Sequence, residues 1–227
     1  MELTLDRVIL RAADPAATLA ELAERTGAPV LAPAQPAGAF TSGSLRASVD
    51  IEVLAIGAEP PPELLGYGLG FTADIRLQQA STALRRAGLK TSPEISTTVG
   101  ERTWATVQVH GLLPHPFPAP TFRVSHTTKQ RMTEWITVRL IRLPPFKKPL
   151  TTRAGSSMVA LTEYRFDAAR WRAAAGPGPT VVTVEVGTAG HDWSSVPIAP
   201  GPLVLDPDGP PGVRRIVFED GLELRFG

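Results

Sequence analysis

The sequence predicts an α+β fold built from repeated modules, each with a strand, a helix and then further strands. Residues 3–11 alternate as a strand does but are apolar on both faces, and Asp14-Pro15 opens a helical run that stops at Gly27. The order strand, aspartate, helix and glycine returns after roughly 60 residues, a period that indicates internal duplication. Two β-type runs, 40–48 and 49–56, follow the first helix with almost nothing between them.

Composition excludes several classes of function. A net charge of +1 gives no electrostatic reason to expect nucleic acid or an anionic membrane as a partner. No apolar run approaches the roughly 20 residues that a membrane span needs, and no secretion signal is visible. The absence of cysteine excludes a disulfide framework, a thiolate zinc site and a cysteine nucleophile. We therefore expect a cytoplasmic protein whose partner is a small-molecule ligand, with a homodimer as an option.

The first βαββ module is predicted to span residues 1–58. Leu19 and Leu22 recur at helical spacing between Pro15 and Gly27, and the two β runs complete the module. The Pro/Ala/Gly-rich stretch 32–38 between the helix and these strands is predicted to be a loop.

The second module is predicted over residues 66–127, from a strand at 67–74 through a helix that stops at Gly88 to strands at 103–110 and 121–125. Residues 128–155 fit no module and are predicted to be an insertion over the site, a connector or an interface. Residues 156–227 form a possible third module with a strand at 157–164, a helix at 166–175 and strands at 181–186 and 203–205. Asp220-Gly221 between two apolar runs predicts a closing hairpin.

The repeated modules, the opening Leu-Asp-Arg-Val-Ile-Leu-Arg at 5–11 and Val-Asp-Ile-Glu-Val-Leu-Ala-Ile at 49–56 resemble the vicinal-oxygen-chelate superfamily. This superfamily contains glyoxalase I, extradiol dioxygenases and bleomycin-type resistance proteins, and the similarity is to its glyoxalase-like domain branch. Gly70-Phe71 followed by Asp74 matches the second-module motif of that branch. The resemblance implies a cupped, largely antiparallel mixed sheet with helices on the outside and a site on its concave face.

The resemblance also implies where metal ligands would lie, and the sequence departs from it there. The histidine position of the first module falls on Arg7, whereas the glutamate position is kept as Glu52. The matching position of the second module falls at Tyr67 or Gly68, neither of which is histidine. We therefore expect no metal cofactor, and an Arg7–Glu52 pair across the cup that orients an anionic or carbonyl-bearing ligand. A divalent metal held by His110, His126 and Glu223 is the alternative.

The candidate site residues follow from these positions. Glu52, as general base, and Arg7, as stabiliser of a developing oxyanion, are the predicted catalytic residues. Ligand binding is assigned to four further side chains, namely Tyr67, Trp104, Arg123 and His126. The three arginines around the third helix, Arg165, Arg170 and Arg172, are predicted to form a solvated face.

Three functions stay open. The first is metal-independent isomerase, lyase or cyclase chemistry on a carbonyl- or oxygen-rich organic substrate. The second is a binding protein that sequesters a small molecule, as resistance members of the superfamily do. The third is a metal-dependent lyase or dioxygenase.

Overall fold

The computed structural model describes residues 1–37, 40–56, 61, 63–114 and 158–226, and it confirms the α+β class with a curved mixed sheet. The larger sheet has nine strands and a second sheet has four. The elements in chain order are β1 (Leu3–Arg11), α1 (Pro15–Thr26), β2 (Val30–Ala37), β3 (Phe40–Leu45), β4 (Asp50–Ala55), β5 (Leu65–Ala73), α2 (Leu77–Arg86), β6 (Lys90–Thr91), β7 (Ile95–Val99), β8 (Arg102–His110), β9 (Met158–Tyr164), α3 (Ala168–Ala174), β10 (Val181–Gly187), β11 (Leu203–Asp206), β12 (Gly212–Phe218) and β13 (Glu223–Arg225).

The larger sheet contains the same strand arrangement twice. In the first unit β1 pairs in parallel with β4, and β3 and then β2 follow outward. In the second unit β5 pairs in parallel with β9, and β8 and then β7 follow outward. The two units join where β1 and β5 run antiparallel. Each unit also carries a helix directly after its first strand, so the repeat is one of topology as well as of sequence order.

Strand β9 lies in this second unit. The sequence placed residues 157–164 at the start of a possible third module, yet β9 is hydrogen-bonded between β5 and β8. The chain separation between β8 and β9 hid this pairing, because nothing local in the sequence marks a strand as the partner of one so distant. The strand predicted at 121–125 and the segment 128–155 lie outside the described residues.

Strand β2 corrects the predicted loop at 32–38. It pairs with β3 at one end of the strand order, although it contains Pro33 and Pro36. An edge strand tolerates proline, because an amide that faces away from the neighbouring strand is not needed for the ladder. The Pro/Ala/Gly composition therefore indicated an edge position rather than a loop.

The sheet curls so far that β2 at one end approaches β7 at the other. One face of it packs against α1, α2 and the second sheet, and this core includes Leu22, Leu84 and Ile216. The opposite face becomes the interior of a nearly closed barrel. Alternate residues of β1, β4, β8 and β9 point into that interior, which is where the polar side chains collect.

The helix ends follow the sequence signals. Asp14 caps α1 by accepting hydrogen bonds from the amides of Ala16 and Ala17 at 3.0 and 3.1 Å, and Gly27 ends the helix at φ 67°. The predicted hairpin at Asp220-Gly221 joins β12 and β13. Among the helices in the described ranges, none is long and apolar enough to cross a membrane.

Candidate functional site

A β-bulge in β1 brings two oppositely charged neighbours together. Leu5 pairs with Phe71 and Arg7 pairs with Gly70, which leaves Asp6 without a cross-strand partner on β5. In a regular strand, adjacent side chains point to opposite faces, and an extra residue breaks that alternation. Here the Arg7 Nη1 atom lies 3.0 Å from Asp6 Oδ2. The bulge is what allows consecutive residues to form an ion pair.

Arg7 also forms the ion pair with Glu52 that the sequence predicted. Its Nε donates to Glu52 Oε2 at 2.7 Å, and its Nη2 donates to the Thr162 hydroxyl on β9 at 3.0 Å. The side chain lies across Gly70, where an added Cβ would come within 2.8 Å of Arg7 Cγ. A glycine at this position on β5 is therefore needed for the guanidinium to lie between the two units.

The charged chain extends from this pair to helix α3. Arg172 donates from Nη2 to Asp6 Oδ1 at 2.6 Å and from Nε to Asp50 Oδ2 at 2.7 Å. Asp50 in turn accepts from Arg46 at 2.9 Å. Acid and base thus alternate through six residues, from Glu52 and Arg7 on one side to Arg46 on the other.

Two carboxylates of this network are buried, so each needs an oppositely charged neighbour. The Asp6 and Asp50 side chains are only 5% and 4% exposed. Burial alone would raise the pKa of Asp6, but Arg7, Arg172 and the hydrogen bond from the Tyr164 hydroxyl hold that pKa below its ordinary value. Burial likewise opposes the charge of Arg7, yet Glu52, Tyr164 and Asp6 raise its pKa. Each charge is compensated within the network, as buried charges must be.

A cavity lies beside this network inside the barrel. Its volume is about 80 Å³, room for about five to eight water molecules or a small organic molecule. The walls combine apolar residues of β2 with two indoles, four hydroxyl-bearing side chains and several charged groups. Among them are Leu31, Ala32, Ser42, Ser44, Thr162, Tyr164, Trp104, Trp171, Arg7, Glu52 and Arg102.

Helix α3 and the end of β9 supply an aromatic cluster at this cavity. The rings of Tyr164 and Phe166 lie 5.5 Å apart in edge-to-face geometry, as do those of Phe166 and Trp171. The guanidinium of Arg102, on β8, lies over the Trp171 ring at 5.1 Å from its centroid. Trp171 is the chain neighbour of Arg172, so the ion pairs of Arg172 also position this wall.

The structure brings three of the predicted site residues together and separates a fourth. Arg7, Glu52 and Trp104 line the same cavity. Tyr67 is buried in an apolar cluster with Ile9 and Leu54. Arg123 and His126 lie outside the described residues.

Tyr67 is unusual because its hydroxyl is buried without a hydrogen-bond partner among the residues that the structure describes. Burial raises the pKa of this hydroxyl to about 12, although nearby Arg11 acts in the opposite direction. A buried polar group without a partner costs free energy in the folded state.

Sequence reasoning missed the larger part of the network. Arg172 was predicted to face solvent, but its side chain is 20% exposed and bridges two carboxylates. The sequence analysis did not predict roles for Asp6 and Asp50, although each lies in a strand whose residues are mostly apolar. Arg102 and Trp171 carried no sequence signal of comparable strength.

Two of the alternative metal ligands, His110 and Glu223, are not grouped in the structure, and the third, His126, lies outside the described residues. His110 ends β8 in the larger sheet, whereas Glu223 lies on β13 of the second sheet and accepts from Arg215 at 3.3 Å and Arg225 at 2.5 Å. Within the ranges that the structure describes, no three His, Cys, Asp or Glu residues are arranged to hold a metal ion.

Comparison with known proteins identifies no family for this chain, so its function is inferred from the site. No protein-family model matches the chain, and no curated protein is significantly similar to it.

Proposed function

We propose that the chain is a small-molecule enzyme of the glyoxalase-like type, in which Glu52 is the general base for isomerase, lyase or cyclase chemistry on a carbonyl-bearing substrate. The observation that carries this proposal is the position of the Glu52 carboxylate. It lines the cavity, Oε2 accepts from Arg7, and Oε1 accepts no hydrogen bond from any residue of the described ranges. One oxygen is thus fixed by Arg7, and in the proposed mechanism the other takes the proton from a substrate in the cavity.

Arg7 supports the same chemistry. A guanidinium has five N–H donors, and three of those in Arg7 are taken by Glu52, Asp6 and Thr162. The remaining two donate to no residue of the described ranges, and because Arg7 lines the cavity we assign them to a substrate oxygen. When Glu52 removes a proton from a carbon next to a carbonyl, the C–H electron pair forms a C=C bond to the carbonyl carbon, and the carbonyl π electrons move onto the oxygen. A fixed cation beside that oxygen stabilises the resulting enolate.

The position of Arg7 also supports a mechanism without a bound metal. Its Nε lies 2.7 Å from Glu52 Oε2, so a permanent organic cation already holds the carboxylate oxygen that a metal ion would otherwise bind. The repeated strand order of the two units supports a distant relationship to the vicinal-oxygen-chelate superfamily.

The test measures the exchange of carbon-bound protons with solvent, an assay that does not require the complete reaction to be known. Hydroxyacetone and pyruvate are incubated with the protein in D₂O, and the loss of their carbon-bound proton signals is followed by NMR. We expect wild type to accelerate exchange and Glu52→Gln to lower that rate by about 10²–10⁴-fold. Ligand affinity is expected to stay within a few-fold, because the amide keeps the size of the side chain.

Glu24→Gln, on the exposed face of α1, is the matched control and should leave exchange unchanged. If Glu52→Gln exchanges protons as fast as wild type, or if wild type does not accelerate exchange at all, the role of Glu52 as a base is refuted. Binding without exchange would favour the sequestering function, which the two indole walls at Trp104 and Trp171 also support.

A further inference from the structure

Arg102 differs from Arg7, the other arginine that lines the cavity, because no carboxylate of the described residues pairs with it. Arg7 is paired with Glu52 and Asp6. Arg102 contacts the face of Trp171, and no acidic side chain in the described ranges lies within ion-pair distance of it. Within the described ranges, the positive charge of Arg102 is therefore not compensated by an ion pair, unlike the charges of Arg7, Glu52 and Asp50.

Its stacking leaves Arg102 ready to bind an anion. A guanidinium over an aromatic ring uses the face of its plane, so the N–H groups at its edge stay free. Those edges match a carboxylate in bidentate geometry. The indole also restricts the side chain before any ligand arrives, which lowers the entropic cost of binding.

Arg102 points toward the same space as Glu52. It shares the inward face of β8 with Trp104, two residues on, and all three residues line the cavity. Glu52 lies on β4, in the other unit of the sheet. A ligand in the cavity thus meets a cation from one unit, which has no acidic partner in the described part of the chain, and a carboxylate oxygen from the other.

We propose that the cavity binds a small organic carboxylate, with Arg102 as the residue that binds its carboxylate group, so that the substrate is a carbonyl compound that also carries a carboxylate. This proposal rests on the proposed function, because it names the substrate class of the same site. In this proposal Arg102 binds the anionic group of the ligand, and Arg7 does not, because Glu52 and Asp6 compensate the charge of Arg7.

The experiment uses the full chain and two defined probes, pyruvate and its neutral counterpart hydroxyacetone. Each is titrated at millimolar concentrations while the indole N–H signals of Trp104 and Trp171 are followed by NMR, with Trp→Phe variants for assignment. We expect pyruvate to shift both signals saturably and to bind about tenfold or more tightly than hydroxyacetone, since hydrogen bonds to charged groups are the stronger ones.

Two variants test Arg102 itself, and a third serves as the control. Arg102→Met should weaken pyruvate binding about tenfold and leave hydroxyacetone binding unchanged. Arg102→Lys should fall between wild type and Arg102→Met, because it keeps the charge but loses the planar fork. Arg86→Met, at the exposed end of α2, is the control and should bind as wild type does.

Equal affinity for the two probes, unchanged pyruvate binding in Arg102→Met, or the absence of saturable shifts would each overturn the proposal. The hydroxyacetone exchange assay with Glu52→Gln does not depend on a carboxylate. Its outcome therefore separates failure of the general base from failure of the carboxylate site.

Discussion

Removing Arg172 should destabilise the fold strongly, because this side chain holds α3 to the sheet through two buried carboxylates. Arg172→Met keeps most of the aliphatic length of the side chain and removes both ion pairs, at 2.6 Å to Asp6 and 2.7 Å to Asp50. Breaking a buried pair by deleting one partner costs about 3–5 kcal/mol. Both carboxylates keep a second arginine, so we expect the lower end, about 3 kcal/mol.

The loss should depend on pH in a defined direction. Arg172 helps to hold the pKa of Asp6 below its ordinary value. A carboxyl with a lowered folded-state pKa contributes stability above its unfolded-state pKa of about 3.9, and loses it as the pH falls through the folded-state pKa. The difference between wild type and Arg172→Met is therefore largest near neutral pH and shrinks in acid.

Urea unfolding followed by tryptophan fluorescence at a series of pH values measures both effects. Arg170→Met is the matched control, because Arg170 lies exposed on the same helix and is expected to change the free energy of unfolding by less than about 0.5 kcal/mol. An Arg172→Met protein as stable as the Arg170→Met control would refute the structural role of the network. A deficit that grows in acid would refute the charge argument.

Three further substitutions probe the concave face. Tyr164→Phe removes a hydroxyl that donates to Asp6 at 2.7 Å and should lower the free energy of unfolding by about 1–3 kcal/mol. Tyr67→Phe removes a buried hydroxyl that has no partner in the described ranges, and it should leave the free energy of unfolding unchanged or raise it. Thermal and urea unfolding compare the pair, and a larger loss from Tyr67→Phe would contradict the assignment. Gly70→Ala places a Cβ within 2.8 Å of Arg7 Cγ and should slow proton exchange together with a loss of stability; unchanged exchange would show that the position of Arg7 is not critical.

The sequence was informative where a structural feature has a local signature. Asp14, Gly27 and Asp220-Gly221 act within a few residues of themselves, so the ends of α1 and the final hairpin could be predicted. The Arg7–Glu52 pair was predictable because a charge in an apolar strand, combined with the resemblance, marks a buried position.

The remainder of the site depends on distant contacts. Arg172 is far along the chain from Asp6 and Asp50, and no periodicity records that α3 folds back onto β1 and β4. The bulge at Asp6 breaks the alternation from which faces are assigned. Strand β2 was missed because proline content outweighed its edge position.

The wall of the barrel differs from a closed sheet at the junction between β2 and β7. In the described part of the chain these two strands come close without forming a hydrogen-bonded ladder. Separating them would widen the interior without breaking a β pairing, whereas every other junction between the main strands of the wall is held by backbone hydrogen bonds. Leu31, Gln35 and Val99 of the cavity wall come from these two strands. The size of molecule that the interior admits is thus set by side-chain packing along one line, which substitutions can alter without disturbing the sheet.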